Sequence, residues 1–195
     1  MKTLRELLSR VHKLEDLKLV IPKYSRSHWI RLFSNLHLNS LKLLQTNAPH
    51  EVLAEFLELH SHIEFIDITS PCDRKYGHRH CSLVDSTLPN LMDLSGPTSC
   101  IAEIPDHNPI QGITLTCPTI ADEVYPFHFL TMNIRNVCDT LTRLTLSFNP
   151  ANQDILRCIS TCAPMLRELR LYESTHSNLV RNSHFVRTWP SYLTP

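Results

Sequence analysis

The sequence has very little glycine and no excess of charge of either sign. Gly77, Gly96 and Gly112 are the only glycines in 195 residues. A phosphate-binding loop needs several clustered glycines, so P-loop and dinucleotide-binding folds are excluded. The 19 Lys and Arg residues balance the 19 Asp and Glu residues. This balance, with no basic stripe that carries interleaved aromatic residues, argues against binding to nucleic acid or to an anionic membrane.

The sequence also lacks long apolar segments and an even set of cysteines. No stretch approaches about 18 uncharged apolar residues, so no transmembrane helix is predicted. Arg5, Glu6 and Arg10 interrupt any apolar segment of an N-terminal signal peptide. Seven cysteines, an odd number in a chain of this size, do not indicate a disulfide scaffold. We therefore expect an intracellular protein, cytoplasmic or nuclear, whose thiols are reduced.

Leucine is abundant instead, and it recurs in a short pattern. Sixteen of the 30 leucines, together with isoleucines, form the pattern apolar-x-x-apolar-x-apolar along the chain. The pattern occurs at Leu14-x-x-Leu17-x-Leu19, Leu38-x-x-Leu41-x-Leu43, Ile63-x-x-Ile66-x-Ile68, a looser Leu88-x-x-Leu91-x-x-Leu94, Ile110-x-x-Ile113-x-Leu115, Leu141-x-x-Leu144-x-Leu146 and Leu166-x-x-Leu169-x-Leu171. Its second apolar position falls at residues 17, 41, 66, 91, 113, 144 and 169, so four of the six steps are 24 or 25 residues. This spacing indicates a repeat protein of about seven units.

Each unit has the pattern of a short strand followed by a helix. The last apolar positions alternate as in a half-buried strand, and between units the apolar period becomes about 3.6 residues. The clearest helical stripe follows Pro49 and consists of Val52, Leu53, Phe56 and Leu57. One unit cannot bury both its strand face and its helix stripe, so neighbouring units must stack.

The stacked units predict an α/β repeat solenoid that forms a single domain over residues 1–195. Because the helices are wider than the strands, the stack is expected to curve, with parallel strands on the concave face and helices on the convex face. The alternative is a doubly wound α/β domain, which usually has longer crossovers and glycine-rich turns.

The units resemble leucine-rich repeats of the ribonuclease-inhibitor-like kind from Leu4 to Tyr172. More narrowly, two segments are similar to the repeat region of fungal F-box proteins, namely Leu88-Pro89-Asn90-Leu91 through Leu94-Ser95-Gly96-Pro97, and Leu141-Thr142-Arg143-Leu144-Thr145-Leu146. The resemblance implies a substrate adaptor of a cullin-type ubiquitin ligase, in which an F-box holds the ligase and the repeats hold the target. No F-box pattern opens this sequence. Because neither end has the polar capping unit that a solenoid needs, we expect a fragment of a longer repeat array. Its expected role is target recognition.

Two other functions remain open. A repeat scaffold or regulator unrelated to ubiquitin ligases, for example a regulator of a small GTPase, would have the same repeats. A metal-dependent enzyme would need the segment from Cys72 to Cys81, in which His78 and His80 add two more candidate zinc ligands. The spacing of these residues matches no standard zinc finger. We therefore predict a solvated loop there, with no metal, no cofactor and no catalytic activity.

The strand residues between the buried positions are the predicted protein-binding surface, because they face solvent on the concave side of a solenoid. The central row of this surface is predicted to be Lys18, Lys42, Asp67, Met92, Thr114, Thr145 and Arg170. With neighbours from the flanking rows, the residues predicted to contact a protein partner are Lys18, Lys42, Leu44, Phe65, Asp67, Met92, Arg143, Arg170 and Tyr172. A few apolar or aromatic anchors inside a polar rim are typical of protein recognition.

Overall fold

The computed structural model describes residues 2–70, 81, 83, 88–101, 108–116, 134, 137–148 and 154–173. Its strands are β1 (Asp16–Leu19), β2 (Leu43–Thr46), β3 (Phe65–Ile68), β4 (Asp93–Gly96), β5 (Gly112–Leu115), β6 (Arg143–Phe148) and β7 (Glu168–Glu173). Its helices are α1 (Lys2–Arg10), α2 (Arg26–Phe33), α3 (His50–Glu58), α4 (Thr98–Ile101) and α5 (Ile155–Cys162). Of the helices in these ranges, none combines the length and the apolar character needed to cross a lipid bilayer.

All seven strands form one parallel sheet. Each strand pairs with the strand of the next unit, in the order β1-β2-β3-β4-β5-β6-β7. The predicted α/β class and the predicted parallel strands are therefore confirmed. A doubly wound sheet reverses its strand order at one point. The order of these seven strands contains no reversal, which argues against that alternative.

Backbone hydrogen bonds tie the start of each strand to the preceding unit. The N–H of Lys42 donates to the carbonyl of Glu15 at 2.8 Å, and the N–H of Glu64 donates to the carbonyl of Lys42 at 2.9 Å. The same contact recurs at 2.8 Å in the later units, where the donors are Met92, Gln111, Thr142 and Arg167. Because each donor belongs to the same place in its unit, this ladder sets the register of all seven strands.

Asn47 adds a side-chain bridge just beyond β2. Its Oδ1 accepts the N–H of Ile21 at 2.9 Å, and its Nδ2 donates to the carbonyl of Ile21 at 3.1 Å. Both backbone groups of Ile21 would otherwise lack a strand partner, since β1 has already ended. The amide therefore continues the link between the first two units after the backbone ladder stops.

The register of the second unit differs from the predicted phase. Leu17 of β1 pairs with Leu44 of β2, whereas the spacing predicted that Leu41 would hold this place. Leu41 is also buried, but it precedes the strand. The error arose because Leu38 lies three positions upstream and imitates the first residue of the pattern.

The fourth unit shows the same shift for the same reason. Leu88 imitates the start of the pattern, so the spacing predicted Leu91 at the second apolar position. In the structure Leu94 takes that position and pairs with Ile66 of β3. The strand residues of the second and fourth units therefore lie three positions later in the sequence than predicted.

The hydrophobic core lies on one side of the sheet. Six of the seven in-register core positions are buried and the last is half-buried: Leu17, Leu44, Ile66, Leu94, Ile113, Leu144 and Leu169. The stripe predicted on α3 is confirmed, because Val52, Leu53, Phe56 and Leu57 are all buried. Neighbouring helices pack together, α1 on α2 and α2 on α3. Phe33 of α2 stacks on Phe56 of α3 with the ring centroids 4.5 Å apart.

Candidate functional site

The side of the sheet opposite the core carries the candidate site, which we call the open face. Side chains alternate across a strand, so this face consists of the residues on either side of each core position. Its first row is Asp16, Leu43, Phe65, Asp93, Gly112, Arg143 and Glu168. Its second row is Lys18, Gln45, Asp67, Ser95, Thr114, Thr145 and Arg170. Except for the buried Ser95 and Gly112, these residues are half-buried or exposed.

An apolar pair lies on the first half of the open face. Leu43 and Phe65 are register partners on neighbouring strands, and both are half-buried. Beside them in the second row, the Nε2 of Gln45 donates to the Oδ2 of Asp67 at 2.8 Å. Cross-strand neighbours on one face lie in contact distance. The pair therefore forms an apolar spot bordered by a polar one.

An ion pair in which one guanidinium nitrogen contacts both carboxylate oxygens spans β5 next to this apolar pair. The Nη2 of Arg143 lies 2.9 Å from Oδ1 and 2.9 Å from Oδ2 of Asp93. These two residues belong to β6 and β4, and Gly112 of β5 lies between them in the register. A Cβ on Gly112 would overlap Oδ1 of Asp93. A side chain at position 112 would have to displace the Asp93 carboxylate, so glycine leaves the ion pair room to cross the strand.

The last strand ends the open face with a second charged pair. The Nη2 of Arg170 lies 2.6 Å from Oε1 of Glu168, two residues away on the same side of β7. Tyr172 follows on this side, half-buried, and pairs in register with Ser147 of β6. The polar pairs and the aromatic ring together give this end of the face mixed chemistry with no dominant charge.

The structure places six of the nine predicted partner-contacting residues on the open face: Lys18, Phe65, Asp67, Arg143, Arg170 and Tyr172. Leu44 was wrongly predicted to be exposed, since it belongs to the core ladder and is 0% exposed. The shifted register exchanges it for Leu43, because a change of strand register by an odd number of residues moves a side chain to the other face.

Lys42 and Met92 were wrongly predicted within the central row. Both residues come just before their strands, and Gln45 and Ser95 take the central positions. The Nζ of Lys42 lies 3.6 Å from Oε2 of Glu15, and Met92 is 36% exposed. Sequence reasoning thus missed Leu43, Gln45 and Asp93. In these two units the last leucine before the following helix, Leu44 or Leu94, marks the core position and would have given the correct phase.

Among the described residues two histidines, His60 and His50, are buried, and both ring nitrogens of His60 form hydrogen bonds with the backbone. His60 is 1% exposed. Its Nδ1 donates to the carbonyl of Phe56 at 2.7 Å, and its Nε2 accepts the N–H of Leu38 at 3.0 Å. Burial lowers the pKa of His60 below its usual value, and the nearby His62 and His37 lower it further. His60 is therefore a neutral structural histidine.

The second buried histidine faces two thiols. His50, the first residue of α3, is 4% exposed, and its Nε2 lies 2.9 Å from the carbonyl oxygen of Ser70. Its Nδ1 lies 3.1 Å from Sγ of Cys81 and 3.6 Å from Sγ of Cys100. Burial alone would lower the pKa of His50, but the contacts with Cys100, the Ser70 carbonyl and Glu51 raise it above its usual value.

The His50–Cys81–Cys100 cluster differs from the candidate metal ligands considered in the sequence. Cys81 was wrongly predicted to lie in a solvated loop, since it is 3% exposed. Cys72, His78 and His80 lie outside the described residues. Spacing along the chain could not reveal the cluster, because 50 residues separate His50 from Cys100.

Comparison with known proteins assigns no family to the chain. No protein-family model matches the sequence, and no curated protein matches it significantly. The functional argument therefore depends on the fold, the open face and the buried cluster of this chain.

Proposed function

We propose that this chain is a leucine-rich-repeat solenoid that binds another protein through its open face. The proposal is supported by seven parallel strands that pair in chain order and in one register. It is also supported by the packing of successive helices at the start of the chain, α1 on α2 and α2 on α3. In such a stack the wider helix layer makes the sheet side concave, so the open face would surround part of its partner.

The observation that carries the binding proposal is the apolar pair Leu43–Phe65 with charged and polar pairs on both sides. Binding energy in protein interfaces concentrates in a few apolar or aromatic anchors, while polar groups around them exclude water and set specificity. Gln45–Asp67 and Asp93–Arg143 are already hydrogen-bonded in this chain. They are therefore held in place before a partner arrives, which lowers the entropy lost on binding.

The partner class follows from the resemblance of the repeats to those of fungal F-box proteins. We propose that the chain supplies the target-recognition repeats of an F-box-like ubiquitin-ligase adaptor. Its partner would be a folded protein that presents apolar side chains to the Leu43–Phe65 pair. Ligase components would join through an F-box elsewhere in the full gene product.

Site-specific photo-crosslinking in cells tests which face binds. A photoreactive amino acid in place of Gln45 samples the open face, and the same replacement of the exposed Glu55 on α3 is the matched control. We expect a discrete crosslinked protein at position 45 and none at position 55. A partner captured only at position 55 would contradict binding through the open face.

The identified partner then allows the anchor to be measured. Phe65→Asp should weaken binding of the purified partner by about 30-fold or more, as loss of an interface anchor does. Leu59→Asp is the control, since Leu59 is apolar and 54% exposed but follows α3 outside the sheet. Equal losses in both variants would contradict the assignment of Phe65 as an anchor.

The ligase role is tested on the same partner. Deletion of the gene for this chain should lengthen the cellular half-life of a ubiquitination target, and Phe65→Asp should have the same effect. A partner whose half-life does not change would instead indicate a repeat scaffold or regulator. That result would leave binding through the open face intact.

A further inference from the structure

Three soft metal-binding atoms converge in the core, away from the open face. We propose that Nδ1 of His50, Sγ of Cys81 and Sγ of Cys100 bind one thiophilic metal ion, with Zn²⁺ as the expected ion. All three residues are buried, and the three atoms lie within 4.8 Å of one another. The site is independent of the proposed binding function, because its residues lie on the core side of the sheet.

The distances fit a zinc coordination sphere. Zn–S bonds of about 2.3 Å and Zn–N bonds of about 2.0–2.1 Å at tetrahedral angles separate nitrogen from sulfur by about 3.5 Å. The two measured separations from Nδ1 of His50 are 3.1 Å to Cys81 and 3.6 Å to Cys100. An ion can therefore be placed between the three atoms with small side-chain adjustments.

The hydrogen bond on the far side of the His50 ring fixes its tautomer. The Ser70 carbonyl can only accept, so Nε2 of His50 must carry the proton at their separation of 2.9 Å. When Nδ1 carries no proton, its lone pair faces the two thiols, as metal binding requires. A histidine that donates its second N–H to a backbone carbonyl while the other nitrogen faces the ligand set is the arrangement found in metal sites.

His60 is a useful comparison with His50, because it is also buried but none of the described thiols forms a hydrogen bond with its ring. Its Nδ1 also donates to a backbone carbonyl, but its Nε2 accepts the N–H of Leu38. Both nitrogens of His60 are therefore used by the backbone. In His50 the second nitrogen faces only side-chain sulfur among the contacts described.

The chemistry of the three donors selects the class of ion. Thiolate and imidazole together favour Zn²⁺ or Cu⁺ over Mg²⁺ and Ca²⁺, which require oxygen ligands. Binding of Zn²⁺ would release the two thiol protons to solvent, since only thiolates coordinate the ion. Three protein ligands are sufficient for zinc binding, as in zinc sites that leave one position for another donor.

The ion would connect three separate parts of the chain. His50 begins α3, Cys81 lies between β3 and β4, and Cys100 belongs to α4. The contacts join residues that are 31 and 50 positions apart in the sequence. Binding would therefore hold the second, third and fourth units together, and its free energy would add to folding stability.

Metal analysis of the purified full chain tests the proposal first. Protein from zinc-supplemented cells, freed of loose metal by gel filtration, should contain about one Zn²⁺ per chain. After the zinc has been removed with a chelator, added Co²⁺ should produce a thiolate-to-cobalt charge-transfer absorption. Added Zn²⁺ should then displace the Co²⁺ and abolish this absorption. A folded protein that takes up neither ion stoichiometrically would overturn the proposal.

Variants assign the ligands. Cys81→Ser and Cys100→Ser should each weaken Co²⁺ binding by more than about 100-fold, beyond the loss from removing an outer-shell partner. Cys158→Ser is the matched control, because Cys158 is equally buried at 5% exposure but lies in α5, where it should leave the affinity unchanged. Equal effects of all three substitutions would contradict the assignment.

X-ray absorption on the zinc-loaded wild-type chain avoids variants that fail to fold. We expect at least two sulfur neighbours at about 2.3 Å and nitrogen at about 2.0–2.1 Å from the ion. A shell of oxygen and nitrogen alone would place the ion elsewhere and overturn the proposal.

Discussion

The two faces of the sheet follow different rules. On the core side, the same place in each strand is always aliphatic, from Leu17 in β1 to Leu169 in β7. On the open face, the neighbouring place changes in every strand: Asp16, Leu43, Phe65, Asp93, Gly112, Arg143 and Glu168. Exclusion of water from the core requires only apolar side chains of suitable volume, so the same kind of residue recurs at this place in every strand. The open face has no such requirement, so its individual residues can carry recognition.

The largest expected difference between the faces is at two adjacent leucines. Leu44→Ala should lower the free energy of unfolding by about 2–5 kcal/mol, because it leaves a cavity in the core. Leu43→Ala, on the open face, should lower it by less than about 1 kcal/mol. Urea denaturation of both variants measures the difference. Equal losses, or a larger loss for Leu43, would contradict the register of β2.

The next effect concerns a residue whose small size the open face requires. Gly112→Ala should lower the free energy of unfolding by about 1–2 kcal/mol, because the new Cβ overlaps the Asp93 carboxylate, and this steric cost adds to the lost contact with Arg143. In an Asp93→Ala background the same substitution should be neutral or stabilising by up to about 1 kcal/mol, since glycine weakens a strand. A similar loss in both backgrounds would show that the backbone, and not the ion pair, requires glycine.

A smaller effect on the free energy of unfolding comes from the buried His60 on the core side. Burial and the neighbouring His62 and His37 lower the pKa of His60 in the folded chain. The unfolded chain therefore binds one more proton as the pH falls below about 6.5, and folding stability decreases in that direction. The slope from this group is at most about 1.4 kcal/mol per pH unit.

The comparison of wild type with His60→Gln isolates this contribution. Free energies of unfolding measured between about pH 7.5 and pH 5 should fall more steeply with decreasing pH in the wild type than in the variant. Other histidines, including His50 with its raised pKa, are common to both proteins and cancel in the difference. An unchanged slope would contradict a neutral, buried His60.

The smallest expected effect is the coupling between Asp93 and Arg143. Both side chains are partly exposed, at 31% and 43%, so solvent screens the pair. A double-mutant cycle with alanine at each position should give a coupling free energy of about 0.5–1 kcal/mol, which decreases at high salt. A coupling near zero at low salt would mean that the pair contributes only to the shape of the open face.

Leucine periodicity alone predicted the α/β class of the chain, its parallel strands and the helical stripe of α3. The same periodicity failed in the second and fourth units, where Leu38 and Leu88 extend the pattern by one apolar residue. Both possible phases bury leucine, so local pattern could not choose between them. The choice is made by pairing with the neighbouring strand, since the ladder through Lys42 and Met92 permits one register.

The amino-acid sequence by itself determined that short strands and helices would alternate and pack on one apolar side, because burial depends on residue type and period, which are local properties. Only the tertiary structure decided that Leu43 replaces Leu44 on the open face, that Arg143 reaches Asp93 across Gly112, and that His50 meets Cys81 and Cys100. Each of these contacts joins residues from different units. Their distances depend on how units stack in three dimensions, and separation along the chain carries no information about that.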